Sequence, residues 1–256
     1  MVARFKDRRE AGQALARRLK RYLEKQDLER PAIVLGLPRG GIIVGYEIAM
    51  ALQAPLDVCL VRKLGLPRQP ELAMGAIASH GYEWLDTQMI RMQRVSTEQI
   101  HDVLQHEQAL LHHRAERYAP YRPSLSLRNR TVIVTDDGVA TGATLMAALE
   151  DVRSQHPCEI IIAIPVMAAA MQLRPPADRY PLVVLHRPDH MLAIGYAYED
   201  FSQVSDTEVC QALQQANAFA KQSAAVPAAV ADAYDQTIAN NRALANHRST
   251  PPAAPH

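Results

Sequence analysis

Apolar residues recur at helical spacing near the start of the chain. Ala11, Leu15, Leu19 and Tyr22 share one face of a segment from 7 to 24, with Arg and Lys between them, the pattern of an amphipathic helix. The apolar run Ala32 to Gly36 reads as a buried strand. It leads through the loop Leu37-Pro38-Arg39-Gly40-Gly41 into a helix from Ile42 to Gln53. A second strand is expected from Leu56 to Val61, ending in Arg62-Lys63 and a Gly- and Pro-bearing loop from Leu64 to Glu71. A third, Met74 to Ser79, turns at His80-Gly81 into Tyr82 to Leu85. A long polar helix follows from Ser96 to Tyr118, then a connector from Pro120 to Arg130.

The second half repeats the alternation. A β-branched run, Thr131 to Thr135, precedes a loop of small residues and a helix beginning near Leu145. Strands are expected at Glu159 to Ile164 and Leu182 to His186, a short helix at Met167 to Leu173, and a helix from Asp206. Strands alternating with helices predict a three-layer α/β/α fold around a mainly parallel sheet. In such sheets ligands bind at the carboxyl ends of the strands. The loops 38–41, 62–71 and 136–144 each follow an expected strand and so fall at that edge.

Composition narrows the reading. The chain has 256 residues, 28 basic and 27 acidic, for a net charge of +1. That balance gives no electrostatic reason to expect nucleic-acid binding. Cys59, Cys158 and Cys210 are far apart without metal-ligand spacing, which predicts reduced thiols and a cytoplasmic protein. The N-terminus is charged, and the apolar run Ile160 to Met171, interrupted by Pro165, is too short to span a bilayer, so no membrane association is expected. One domain is expected over 1–213, followed by an Ala-rich extension over 214–256, helical at first and disordered from Ser249 to His256.

The candidate chemistry centres on 131–144. Asp136 and Asp137 follow the strand, then Gly138, Val139, Ala140, Thr141, Gly142, Ala143 and Thr144. Small residues let backbone N–H groups approach a phosphate, and the helix N-terminus behind them carries partial positive charge. The hydroxyls of Thr141 and Thr144 can donate to the same oxygens. Paired carboxylates suit a vicinal diol, because each accepts hydrogen bonds from adjacent hydroxyls. Diol and phosphate together describe a ribose 5-phosphate. Upstream, Gly40 and Gly41 permit close backbone approach, and their N–H groups with Arg39 suit a pyrophosphate. Arg62 and Lys63 supply positive charge to stabilise a departing pyrophosphate. His101, His106, His112 and His113 put no i, i+4 pair on one face of the polar helix and read as a solvated surface.

The stretch 131–144 resembles the signature of type I phosphoribosyltransferases, which bind 5-phosphoribosyl 1-diphosphate (PRPP). Thr135 and Gly138 stand where that signature usually has aliphatic residues. Loop 38–41 resembles the family's pyrophosphate loop, which often carries a strained or cis peptide. Residues 61–67 are similar to the start of its flexible catalytic loop. Together with Pro70–Ala76 and Gly195-x-x-Tyr198-x-Asp200-Phe201, these motifs resemble a bacterial subgroup whose acceptor is unassigned, over about 4–213.

The resemblance implies a magnesium-dependent transfer of phosphoribose from PRPP to a nitrogen acceptor. It implies magnesium on the substrate, with Asp136 and Asp137 as its protein contacts. It implies an acceptor hood at about 186–201, with Tyr196, Tyr198 and Phe201 as stacking candidates. Ala140 occupies the place of the aspartate of 6-oxopurine enzymes, which argues against hypoxanthine or guanine. A homodimer stays open as the assembly. The rivals are a PRPP- or nucleotide-binding regulator with little catalysis, and a hydrolase using water as acceptor.

Overall fold

The computed structural model describes residues 4–26, 32–173, 177–191 and 193–223. In chain order its elements are α1 (Arg8–Lys25), β1 (Ala32–Gly36), α2 (Gly40–Leu52), β2 (Leu56–Val58), β3 (Val61–Leu66), β4 (Gln69–Ala78), β5 (Glu83–Leu85), α3 (Thr87–Met92), α4 (Thr97–Tyr118), β6 (Thr131–Thr135), α5 (Ala143–Ser154), β7 (Glu159–Val166), β8 (Leu182–His186) and α6 (206–223). Short 3-10 turns lie between them.

The main sheet has the order β2-β1-β6-β7-β8, and every pair is parallel. Period-2 alternation assigns its two faces. Val34, Ile133 and Ile161 join one core with Leu15 and Leu19 of α1, Ile42 and Ile48 of α2, and Val209 and Leu213 of α6. Ile33, Leu35, Val132, Val134, Ile160 and Ile162 join the other with Leu145, Leu149 and Val152 of α5. Both faces are covered, which is why these strands read as unbroken apolar runs. This is the three-layer α/β/α architecture that the alternation predicts, with its mainly parallel sheet.

The stretch 56–85 departs from expectation. The parallel strand stops at Val58, and Val61–Leu66 pairs antiparallel with β4, which pairs antiparallel with β5. The switch lies in two backbone bonds. Cys59 N–H donates to Gly36 O in the main sheet at 2.9 Å, and Ser79 N–H donates to Leu60 O at 3.0 Å in the side sheet. Arg62 and Lys63 therefore sit within a strand of a separate three-stranded sheet rather than in a loop at the main sheet's edge. The expected turn at His80-Gly81 is present, closed by Ala78 N–H donating to Tyr82 O.

The helix expected at 167–173 does not form. Met167, Ala168 and Ala169 donate their amides to His186, Val139 and Pro188, so the backbone continues outward from β7 instead of coiling. The boundary expected at 213 is no break: α6 crosses it, and the buried Asn217 both accepts from Leu56 N–H and donates to Leu56 O. The expectation for Ser249–His256 lies outside the described residues. The cysteines are free thiols, with Cys59 buried. Among the described residues no helix is long and apolar enough to cross a membrane.

Candidate active site

β1 and β6 are neighbours in register, Gly36 against Thr135, so the loops that leave their ends meet. Gly40 and Gly41 bring the two backbones together. A Cβ on Gly41 would sit 2.8 Å from Asp136 Cα and 2.9 Å from Thr135 O, and one on Gly40 would collide with the Asp137 carboxylate. Only glycine permits this approach. The peptide between Pro38 and Arg39 is cis, in agreement with the family's pyrophosphate loop. Arg39 is the N-cap of α2 and half-buried.

Asp136 is half-buried and Asp137 buried. Asp136 Oδ1 accepts from the amide of Asp137 at 2.8 Å. Burial, then the charge of Asp137, holds the Asp136 carboxyl well above the usual carboxylate range. Burial raises Asp137 as well, opposed by the guanidinium of Arg8. Arg8 Nε donates to Asp137 Oδ2 at 2.7 Å. No sequence motif marks Arg8: it lies 129 positions away, among other basic residues of an amphipathic helix.

The loop 138–144 is held against β7. Val139 N–H donates to Val166 O, and Val139 O accepts from Ala168 N–H. Gly142 takes φ +78° as the N-cap of α5, a left-handed conformation that favours glycine. Gly138, Val139 and Gly142 are buried, Ala143 and Thr144 are half-buried, and Ala140 and Thr141 are exposed. The first turn of α5 thus presents its unpaired amides beside the aspartate pair.

Arg62 and Lys63 reach the same region from β3. They line a cleft of about 650 Å³ with Pro38 of the first loop and Thr144 of the second. Its far wall is α4, contributing Asp102, His106, Glu107 and Arg114. Both cations are paired. Arg62 donates to Glu107 at 2.6 Å, and Lys63 donates to Glu71 O at 3.0 Å, with the Glu71 carboxylate 3.6 Å away. Glu107 carries no motif either; its role follows from α4 packing beside β3, which local periodicity does not report.

The segment 186–201 packs on the N-terminus. Tyr198 pairs with Phe5, and Phe5, Val166, Ala197 and Tyr198 form a small core. Tyr198 is buried, stacks on Phe201 at 5.1 Å and donates its hydroxyl to Asp137 O. Burial raises its phenol. Phe201 lies under Arg8, whose Cζ is 3.9 Å from the ring centroid. Of the three rings expected to stack on an acceptor, Tyr198 and Phe201 are thus taken up in packing, whereas Tyr196 is 60% exposed.

A family profile described as the phosphoribosyl transferase domain matches residues 1–199. Rv0571c of Mycobacterium tuberculosis strain H37Rv, a phosphoribosyl transferase by name, is 36% identical over 251 residues; the same holds for MT0597 of strain CDC 1551. The match takes in 96% of this chain and 56% of theirs, so the chain spans about half the length of these curated relatives. The crystal structure of TT1426 from Thermus thermophilus superposes with a TM-score of 0.66 at 38% identity, covering 83% of this chain and 98% of that one. Together with the two loops that meet at the Gly40–Asp137 contact, these matches establish that the chain belongs to the phosphoribosyl transferase domain family.

Proposed function

We propose that the protein transfers phosphoribose from PRPP to a nitrogen acceptor and releases pyrophosphate. The observation that carries this reading is the meeting of Gly40-Gly41 with Asp136-Asp137 beside the start of α5. In it the amides of 138–144 with the hydroxyls of Thr141 and Thr144 cradle the 5-phosphate. Asp136 and Asp137 accept from the ribose diol. Arg39, Gly40 and Gly41 receive the pyrophosphate, with Arg62 and Lys63 across the cleft to offset its charge as the glycosidic bond breaks. The protein's contribution is to hold donor and acceptor in line and to stabilise charge.

The donor set fits magnesium. The adjacent carboxylates of half-buried Asp136 and buried Asp137 repel each other and so favour a cation. Mg²⁺ characteristically takes one or two carboxylates and completes its shell with water and substrate phosphates. Bound there, it would supply neutralisation of the leaving pyrophosphate. Ala140 offers no proton acceptor in the phosphate loop, so the acceptor nitrogen is deprotonated elsewhere or attacks as a free amine.

A second reading, a PRPP- or nucleotide-binding regulator, draws on one observation: both candidate catalytic cations are already paired with carboxylates. Calorimetry on wild type and on the Asp136→Asn/Asp137→Asn variant tests binding, which the double substitution is expected to abolish while leaving the melting curve cooperative. Unchanged affinity would sink the assignment. A PRPP-dependent pyrophosphate-release screen across bases and amines separates the transferase from the regulator.

A further inference from the structure

Arg8 is the first residue of α1, where a helix favours negative rather than positive charge. Its placement answers to a different demand. The chain enters α1 along the segment 197–200: Phe5 N–H donates to Ala197 O, Glu199 N–H to Phe5 O and Asp200 N–H to Lys6 O, at 2.8 to 2.9 Å. Asp7 then caps the helix by accepting from Glu10 N–H. Both ends of the Arg8 backbone are thereby fixed. Its side chain is only 11% exposed and makes three contacts at once. Nε donates to Asp137 Oδ2, Nη1 donates to Ser202 O at 2.8 Å, and the guanidinium lies over Phe201.

Resting on the ribose-diol assignment above, we propose that Arg8 is the positioning residue of the diol subsite. It sets which way the Asp137 carboxylate points and leaves the rest of that carboxylate's acceptor capacity to the sugar hydroxyls. A carboxylate accepts at about four lone-pair sites, so one Nε–H bond at Oδ2 does not exhaust it. Asp137 is fixed from three other sides. Its carbonyl accepts from Tyr198, its amide donates to Asp136, and the Gly40 backbone closes the space behind Oδ2. The guanidinium is the one cation in direct contact with its carboxylate among the described residues, and the Asp136 carboxyl is the other side chain bonded to it. Substrate does not compete with it for that contact, because a displaced Arg8 would leave a mostly buried cation against the Phe201 ring without its carboxylate. The N-terminal segment and the stretch 197–202 therefore form one brace, and Arg8 is its point of contact with the site.

The test measures affinities of the full chain for ribose 5-phosphate, 2-deoxyribose 5-phosphate and inorganic pyrophosphate by calorimetry with magnesium. Arg8→Ala is expected to lose about tenfold on ribose 5-phosphate, roughly the strength of one charge-assisted contact. It should lose little on the deoxy sugar or on pyrophosphate, neither of which offers the diol. Arg8→Lys, which keeps a charge but not the three-way geometry, should recover part of the loss. Phe201→Leu, which removes the ring under the guanidinium and keeps both partners of the Arg8–Asp137 ion pair, should show the same selective loss at smaller size and covers the case in which Arg8→Ala does not fold. An equal loss on all three ligands, or none on ribose 5-phosphate, overturns the proposal while the diol assignment stands. Wild type that does not distinguish the sugar from its deoxy analogue removes that assignment and the proposal with it.

Discussion

The α-carbon of Gly40 faces the carboxylate of Asp137 so closely that an added Cβ would come within 2.5 Å of Asp137 Cγ. The neighbouring Gly41 is less tight, but there backbone is in the way: an added Cβ would lie 2.8 Å from Asp136 Cα and 2.9 Å from both Thr135 O and Asp136 Oδ1. The two substitutions should therefore fail differently. Gly40→Ala pushes on the Asp137 carboxylate and the Arg8 Nε paired with it rather than on backbone, so it should weaken PRPP binding by about tenfold or more with a smaller effect on melting than Gly41→Ala. Gly41→Ala pushes on backbone in the middle of the fold, so it should cost about 1–3 kcal/mol of stability. Calorimetry and urea unfolding on the pair check the contrast, and equal destabilisation by both would refute it.

Arg62 is held by Glu107 through Nε at 2.6 Å and Nη2 at 2.5 Å, with side chains 24% and 16% exposed. If Arg62 serves pyrophosphate, Glu107 competes for it. Glu107→Gln should then tighten binding of inorganic pyrophosphate by about three- to tenfold, more at low salt, where screening is weaker. Weaker binding would mean that Glu107 orients Arg62 rather than restraining it.

The parallel sheet and the two glycine-bearing loops at its edge were legible because each depends on local pattern. β6, Asp136-Asp137 and the small residues after them are contiguous, and so are β1 and Gly40-Gly41. The side sheet was not legible. Val61, Leu64 and Leu66 are buried on a strand whose partner supplies the period, and the sequence has no mark at Cys59-Leu60 where the chain changes sheets. Arg8 and Glu107 were missed for the same reason. Each acts on a residue more than forty positions away, across an interface formed only by folding. Tyr198 and Phe201 carried an aromatic signal that fits stacking on a base and stacking on each other equally well.

Thr135 stands where an aliphatic residue is usual, and the structure leaves its hydroxyl buried, with no partner among the described residues. A buried unpaired hydroxyl costs stability, and an isosteric apolar replacement removes that cost. Thr135→Val should raise stability by about 1 kcal/mol and leave PRPP affinity unchanged. Lost affinity would reveal that the hydroxyl serves the ligand through Asp136.

His80, at the β4–β5 turn, bonds through Nδ1 to Asp151 Oδ2 at 2.9 Å. Asp151 is almost fully buried and His80 nearly half exposed. The Asp151 hydrogen bond is the main cause that raises the imidazole above its ordinary value near 6.5, with burial pulling the other way. A histidine raised in the folded state contributes stability that is complete below its unfolded pKa and is lost as pH rises through its folded one. The melting temperature of wild type should therefore exceed that of His80→Gln most at about pH 5.5–6. The gap should shrink steadily toward pH 8.5, as the imidazolium becomes neutral and keeps only an ordinary hydrogen bond to Asp151. Thermal melts of both proteins across that range provide the check. A gap that widens with pH would require a lowered pKa, and would mean that burial of the ring outweighs the carboxylate beside it.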